Sequence, residues 1–238
     1  MKIAALIPAR LESTRLSKKL IQDLGGKSVI QQTYLSTLAT GVFEEVWVVT
    51  DSDEIEKQIL TLGGNVFRSK KIHESGSDRI AEALELVDAE IIINVQGDEP
   101  FQDEKTLRDL VAVFEDKEVK VASLKTRISE EEARNPNFVK VVTDIHDDAL
   151  YFSRAMIPYA RDSEEEVSYW KHIGIYGYKR EVLLAFTEMK KGKLENIEML
   201  EQLRLLENGF KIRMVETSHK ALAIDTDKDL EIARNLYR

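Results

Sequence analysis

The chain has no cysteine, which excludes disulfides, thiolate metal sites and a cysteine nucleophile. Its 238 residues include only 4 Pro and 11 Gly, too few for collagen-like or Pro-rich classes. Positive charge is in deficit. Thirty-four Lys+Arg against 43 Asp+Glu leave −9, without the broad basic surface that sequence-independent nucleic-acid binding needs. No stretch approaches the ~18–20 apolar residues that cross a bilayer. The apolar run after Met1 is too short for a signal h-region and meets Arg10 at once. Neither a His-Glu-x-x-His pair nor a serine nucleophile elbow is present, so zinc peptidase and serine hydrolase chemistry lack support. What remains is 43% apolar and 32% charged, an ordinary globular composition. These features predict a soluble cytoplasmic protein with no nucleic-acid or membrane partner.

Short branched runs alternate with helical patterns through the first half. Ile3–Pro8, Val46–Thr50, Asn65–Arg68 and Glu90–Val95 read as buried strands. Between them, Ser28 with Gln31 opens a helix to about Thr40, Asp51 with Glu54 caps a second, and Ser77–Leu86 forms a third. Such alternation predicts βαβ units and a mostly parallel sheet. In the second half, Val119–Leu124, Val139–Thr143, Ala149–Phe152, Ile173–Tyr178, Ile212–Val215 and Leu222–Ile224 read as strands. Helices are expected over Arg180–Thr187, Ile197–Glu207 and Asp227–Tyr237. With no repeat or clear linker, one domain spanning 1–238 with an inserted antiparallel part is the simplest α/β account.

Several polar groups stand where chemistry could occur. Arg10, Arg15, Lys18 and Lys19 against Glu12 make a basic loop in an acidic chain, directly after the first strand. Ligands of open α/β sheets bind beyond strand carboxyl ends, and flexible Lys with forked Arg donors suits a polyphosphate. Gly25-Gly26-Lys27-Ser28 imitates the end of a P-loop, but Ile21 stands where that motif needs Gly; it reads as a turn with a helix cap. Gln96 and Asp98 follow a buried strand, with Gly97 between them to let backbone approach a ligand. Asp98 and Asp225 both sit at predicted strand ends. If they converge, their mutual repulsion calls for a cation, and Mg2+ is the usual one beside phosphates. Asp51 and Asp53 form a rival acidic pair, which would suit a metal-dependent glycosyltransferase; helix capping also explains them. Glu198 and Gln202, four apart, would share one helix face, and His172 precedes a strand where it could meet an anion.

Taken in order, these motifs and their neighbours resemble the CMP-sugar-acid synthetases. The matching pieces are Ile7-Pro8-Ala9-Arg10 with Ser13-Thr14-Arg15-Leu16 and Lys19, Glu74-Ser75-Gly76-Ser77-Asp78-Arg79, and Asn94-Val95-Gln96-Gly97-Asp98-Glu99-Pro100. Later come Asn135-Pro136-Asn137 with Val139-Lys140-Val141-Val142, Ser153-Arg154-Ala155, His172–Tyr178, Ile197–Arg204 and Asp225-Thr226. The resemblance implies a Rossmann-like nucleotidyltransferase fold and a homodimer whose contact uses about 135–178. It implies CTP and 3-deoxy-manno-octulosonate as substrates, for lipopolysaccharide precursors, with Mg2+ on Asp98 and Asp225. Arg10, Ser13, Arg15 and Lys19 would hold the triphosphate, Ser75 and Arg79 would lie along the cytidine, and Gln96 would stand near the reacting centre. Lys19, Gln96, Asp98 and Asp225 would form the catalytic group. Arg154, His172, Tyr176, Glu198 and Gln202 would surround the sugar acid, Arg154 and His172 on its anionic side. Two departures stand out: Ser17-Lys18 replaces the family's usual Pro-Gly before Lys19, and Lys220–Ile224 lacks its Gly-rich approach. The second departure raises an 8-amino-3,8-dideoxy acceptor as the alternative substrate.

Overall fold

The computed structural model describes residues 1–12, 16–71, 73, 75–161, 167–220 and 222–237. The chain divides into two compact units, Met1–Arg108 with Ala221–Arg238, and Asp109–Lys220. Ser13 and Arg15 lie outside the described residues.

The first unit begins with β1 (Ile3–Ala9), in which Ala5, Leu6 and Ile7 are fully buried. A 3-10 turn at Lys19–Ile21 leads to the short hairpin β2 (Asp23–Leu24) and β3 (Lys27–Ser28). Gly25 and Gly26, at φ +66° and +82°, form its two-residue turn. The P-loop look-alike is therefore a turn, as expected. Ser28 then caps α1 (Val29–Ala39) in a reciprocal box with Gln31. Next come β4 (Glu45–Thr50), α2 (Asp53–Leu60), β5 (Asn65–Arg68), α3 (Gly76–Ala83) and β6 (Ile91–Asn94). The cap of α2 is Ser52, whose side chain accepts from the Ile55 amide, not Asp51. A fourth helix, α4 (Glu104–Ala112), was not anticipated. Asp103 opens it by accepting from the Thr106 amide at 2.8 Å, and Leu107 and Leu110 are its fully buried anchors.

Strands β6, β1, β4 and β5 are neighbours in that order, all parallel. Their apolar side chains are buried on both faces, which is why they read as continuous runs. Each such side chain contributes about 1.5–3 kcal/mol on burial, so Leu6, Ile7, Val48, Val49, Ile92 and Ile93, all at 0% exposure, make the platform rigid. Its strands carry the site at their carboxyl ends.

The second unit contains β7 (Val121–Ile128), α5 (Glu130–Ala133), β8 (Lys140–Thr143), β9 (Ala149–Ser153) and β10 (Tyr169–Lys179). It continues through α6 (Arg180–Glu188), α7 (Lys193–Glu198), α8 (Leu203–Glu207) and β11 (Arg213–Glu216). The predicted hairpin between β8 and β9 forms, and β10 pairs antiparallel with both β7 and β8. β11 runs parallel to β7. The chain then returns to the first unit as α9 (Asp227–Leu236).

Two sequence expectations fail here for identifiable reasons. Leu222–Ile224 forms no strand; Ile224 instead gives a backbone hydrogen bond to the Asp98 carbonyl at 2.9 Å. The helix expected over Ile197–Glu207 is broken after Glu198, where Met199 turns left-handed at φ +53°. The break is fixed by a buried ion pair: Arg204 donates to both Glu195 carboxylate oxygens at 2.8 and 2.5 Å. A charge pair buried this deeply needs that bidentate geometry to offset its desolvation.

Candidate active site

In the first unit, three chain segments meet at one ammonium. Lys19 Nζ lies 2.5 Å from Asp98 Oδ2 and 3.0 Å from Asp225 Oδ1. The convergence left open by the sequence is therefore realised, and the cation between the carboxylates is a lysine. Burial alone would lower the Lys19 pKa, but the charges and hydrogen bonds of Asp98 and Asp225 outweigh it and raise the pKa above the usual lysine value. The ammonium stays charged.

Local structure explains each position. Asp98 follows β6, where Gly97 packs so tightly that a Cβ would stand 2.9 Å from the Pro8 carbonyl oxygen. Gly97 thus serves the approach of two protein backbones, rather than the ligand approach inferred from sequence. Asp225 precedes α9, whose Asp229 carboxylate accepts from the Asp225 and Thr226 amides at 3.2 and 2.8 Å. Lys19 starts the 3-10 turn after Lys18, a left-handed residue at φ +50°. That conformation costs a non-glycine residue about 1–2 kcal/mol, so the Ser17-Lys18 departure places a lysine where the backbone favours glycine.

Around this centre, Arg10 follows β1 and is exposed, and Gln96 lies just beyond β6. Arg79 is buried; its Nη2 donates to Asp51 at 2.9 Å, while Nη1 has no partner among the described residues. A buried, half-satisfied guanidinium is a natural donor for a ligand oxygen. Ser75 caps α3, exchanging hydrogen bonds with Asp78. The rival pair is pulled apart, Asp51 onto Arg79 and the 94% exposed Asp53 onto Arg68. Asp98 and Asp225 suit a hard divalent cation, which commonly takes one or two protein carboxylates and completes its shell with phosphate and water.

The second unit gathers the other expected residues. Glu198 accepts from Ser153 Oγ at 2.6 Å and from the Arg154 amide at 2.9 Å. Its own carbonyl takes Arg154 Nε at 2.9 Å. Glu198 and Gln202 therefore do not share a helix face; Glu198 braces Arg154, and Gln202 is buried with Nε2 unpartnered among the described residues. A bulge after Ile173 brings the His172 and Tyr176 rings to 5.2 Å, with Phe152 at 5.2 Å on His172. His172 Nε2 is 3.0 Å from Ser123 Oγ, which itself faces the Ile173 and Ile175 carbonyls. Those carbonyls claim the single hydroxyl proton, so the network assigns the imidazole hydrogen to Nε2 and leaves Nδ1 as an acceptor. Burial, with a smaller contribution from Lys171, lowers the His172 pKa to about 3. It is neutral at pH 7, and suits a sugar hydroxyl better than an anionic group. Burial likewise raises the Tyr176 phenol well above its usual pKa. Ser123 was not legible as a site residue, because a serine inside a strand carries no spacing signal.

Two predictions follow from these geometries. Lys19→Met, which keeps the stem and removes the charge, should tighten Mn2+ binding to the nucleotide-free protein by about tenfold or more, given the Coulomb energies at such distances. Manganese electron paramagnetic resonance titration reads this directly, and unchanged affinity would show that the ammonium does not compete for the carboxylates. Because the folded His172 pKa lies below the unfolded value, its contribution is full above pH 6.5 and declines as pH falls toward 3. Urea melts should lose about 1 kcal/mol per pH unit from this group over that window, and His172→Gln should flatten the dependence.

Comparison with known proteins places the chain. The Cytidylyltransferase family matches residues 4–212. The 3-deoxy-manno-octulosonate cytidylyltransferase of Flavobacterium johnsoniae is 51% identical over 100% of this chain and 99% of its own length. That of Christiangramia forsetii is also 51% identical, over 99% and 96%. A solved CMP:2-keto-3-deoxy-manno-octonic acid synthetase complexed with CTP superposes with a TM-score of 0.95 at 40% identity, covering 99% of this chain and 98% of that one. A 4-diphosphocytidyl-2C-methyl-D-erythritol synthase from Anaerococcus prevotii, at 17% identity and a TM-score of 0.67, shares the fold. The α/β nucleotidyltransferase fold expected from the motifs is borne out, and the chain belongs to the cytidylyltransferase family.

Proposed function

We propose that this chain transfers the cytidylyl group of CTP to 3-deoxy-manno-octulosonate, giving the CMP-sugar acid and pyrophosphate for lipopolysaccharide precursors in the cytoplasm. The observation that carries the reading is the ammonium of Lys19 held within 3.0 Å of both Asp98 and Asp225. That cluster is a ready receptor for a metal-bound triphosphate. The 51% identical relatives named for this reaction support the choice of acceptor.

In this reading Arg10, Ser13, Arg15 and Lys19 hold the triphosphate, Ser75 and Arg79 lie along the cytidine, and Gln96 stands near the reacting phosphorus. Asp98 and Asp225 would hold Mg2+, which would offset phosphate charge and polarise the attacking hydroxyl. Lys19, freed from its carboxylates, would turn to the phosphates. The anomeric hydroxyl attacks the α-phosphorus, its bond to the pyrophosphate oxygen breaks in line, and the hydroxyl proton passes to solvent. Positioning and charge neutralisation carry such a transfer. Arg154 takes the sugar carboxylate, His172 accepts from a hydroxyl, Tyr176 borders the ring, and the buried Gln202 Nε2 supplies a donor. Glu198 acts through Arg154.

The segment 135–178 is the proposed dimer contact of a single domain. An open groove of about 1060 Å³ there is lined by residues including Met156, Pro158, Tyr159 and Tyr169, with Tyr159 86% exposed. A metal-dependent glycosyltransferase built on Asp51 and Asp53 is disfavoured, because each is bound to a different arginine.

Pyrophosphate release with CTP and Mg2+ tests the reading, with 3-deoxy-manno-octulosonate and its 8-amino analogue in parallel. The expected result is higher kcat/KM for the unmodified acid, with at least about a hundredfold loss in Asp98→Asn. A preference for the 8-amino acid would move the assignment to that acceptor, and no release with either would overturn the reading.

A further inference from the structure

Lys140 is fully buried at the start of β8. Its Nζ donates to three backbone carbonyls: Asn135 at 2.9 Å, Phe138 at 2.6 Å and Arg154 at 2.6 Å. An ammonium has three hydrogens, and here each finds a carbonyl. None of the three partners is a carboxylate, so carbonyl dipoles, not an ion pair, carry most of the compensation. Burial and the nearby Arg154 charge both lower the Lys140 pKa, and Glu198 opposes them. A buried cation in that setting is costly, and an apolar residue would fill the same strand position without the cost.

What the ammonium joins gives the placement its meaning. Asn135 and Phe138 flank a loop whose middle carbonyl, that of Pro136, accepts from Arg154 Nη1 at 3.3 Å. Lys140 thus fixes the loop from both ends while that loop holds the Arg154 guanidinium. It also fixes the Arg154 carbonyl directly. From the other side Glu198 takes the Arg154 amide and Nε. In the β8–β9 ladder Lys140 stands opposite Ser153, which donates to the same Glu198 carboxylate. The neighbouring Val139 carbonyl accepts from the His172 amide at 2.8 Å. Arg154 and His172 bond directly to this strand end, and Glu198 reaches it through Ser153 and Arg154.

We propose that Lys140 is a positioning residue for the sugar-acid site: its buried ammonium ties the 135–138 loop to the Arg154 carbonyl and thereby aims the Arg154 guanidinium at the substrate carboxylate. This rests on the proposed role of Arg154. Lys140 itself touches no substrate. Its effect is to hold a flexible arginine in one geometry before the acid arrives, which matters because small misplacements of a binding group weaken both affinity and rate.

The test uses steady-state kinetics at a temperature where each variant is shown folded. Lys140→Met keeps the stem and deletes the three donors. The sugar-acid KM should rise roughly tenfold or more, the scale at which misplacement is felt, with the CTP KM changed less than about twofold. A merely structural lysine would lower stability and leave that KM ratio alone. Because the chain has no cysteine, Lys140→Cys offers a single thiol. Alkylation with 2-bromoethylamine in denaturant, followed by refolding, rebuilds an ammonium at nearly the native length. The aminoethylated protein should regain the wild-type sugar-acid KM, whereas unmodified Lys140→Cys should not. An unchanged sugar-acid KM in Lys140→Met, equal rises in both KM values, or an aminoethylated protein that folds with its KM still raised would each overturn the proposal. So would failure of both unmodified variants to fold, since Lys140 would then serve folding itself. Wild-type protein silent with the octulosonate would remove the functional reading and this proposal together; an active wild type beside an unaltered variant removes the proposal alone.

Discussion

The bridge from Lys19 to Asp98 and Asp225 is the constraint on which the first unit's site depends. Two partly buried carboxylates from distant parts of the chain would repel, and one would take up a proton, unless a cation lay between them. The fold spends its local devices on keeping all three groups in place. Gly97 lets the end of β6 press against the Pro8 carbonyl, and Thr33 of α1 donates to the Gly97 carbonyl at 2.9 Å. At the other carboxylate, the cap of α9 fixes the backbone around Asp225. The helix itself is seated by Arg234, whose Nε donates to the Asp23 carbonyl at 3.0 Å, and by Tyr237 against Phe101. The ammonium is thus a charge held between two carboxylates, and in the proposed function nucleotide binding exchanges its partners.

The second unit solves a related problem without an exposed cluster. Its buried cations are each fully committed: Lys125 to Asp147 and Thr143, Arg204 to Glu195, and Lys140 to carbonyls. Committed charges give a rigid wall. Against it stand neutral groups, the imidazole of His172 and the Nε2 of Gln202, which has no partner among the described residues. In the proposed function they suit a polyhydroxylated acid better than further charges would.

The parallel strands of the first unit were legible because burial on both faces leaves unbroken apolar runs in the sequence, as in Ile91–Ile93. Helix α1 was legible through the Ser28–Gln31 box. Asp98 and Lys19 were legible as candidates because they follow strands of the sheet, beyond whose ends ligands bind. Asp225 was singled out at the end of a strand, Leu222–Ile224, that does not form. Their meeting depends on tertiary contacts that no spacing encodes. Helix α4 carries its cap at Asp103 and its apolar stripe at Leu107 and Leu110, a pattern the sequence holds but which spans only nine residues. The break at Met199 was hidden for a deeper reason. Local pattern favours a continuous helix, and the Glu195–Arg204 pair overrides it. The role of Glu198 as a brace for Arg154 followed from that break, and so escaped a reading based on helical spacing. His172 stood out in the sequence as a partner for charge. The burial that keeps it neutral depends on Phe152 of β9 and on a bulge that brings Tyr176 of its own strand against it, neither of which spacing encodes.

The most direct test of the central bridge is a double-mutant cycle in urea, using Lys19→Met, Asp98→Asn and the pair together, on protein free of nucleotide and metal. A contact of the kind described predicts a coupling of about 1–3 kcal/mol, the range for directly interacting residues. The double variant should therefore be more stable than the two single losses combined would allow. Additive losses would contradict the account, because they would mean that Lys19 and Asp98 do not depend on one another in the folded protein.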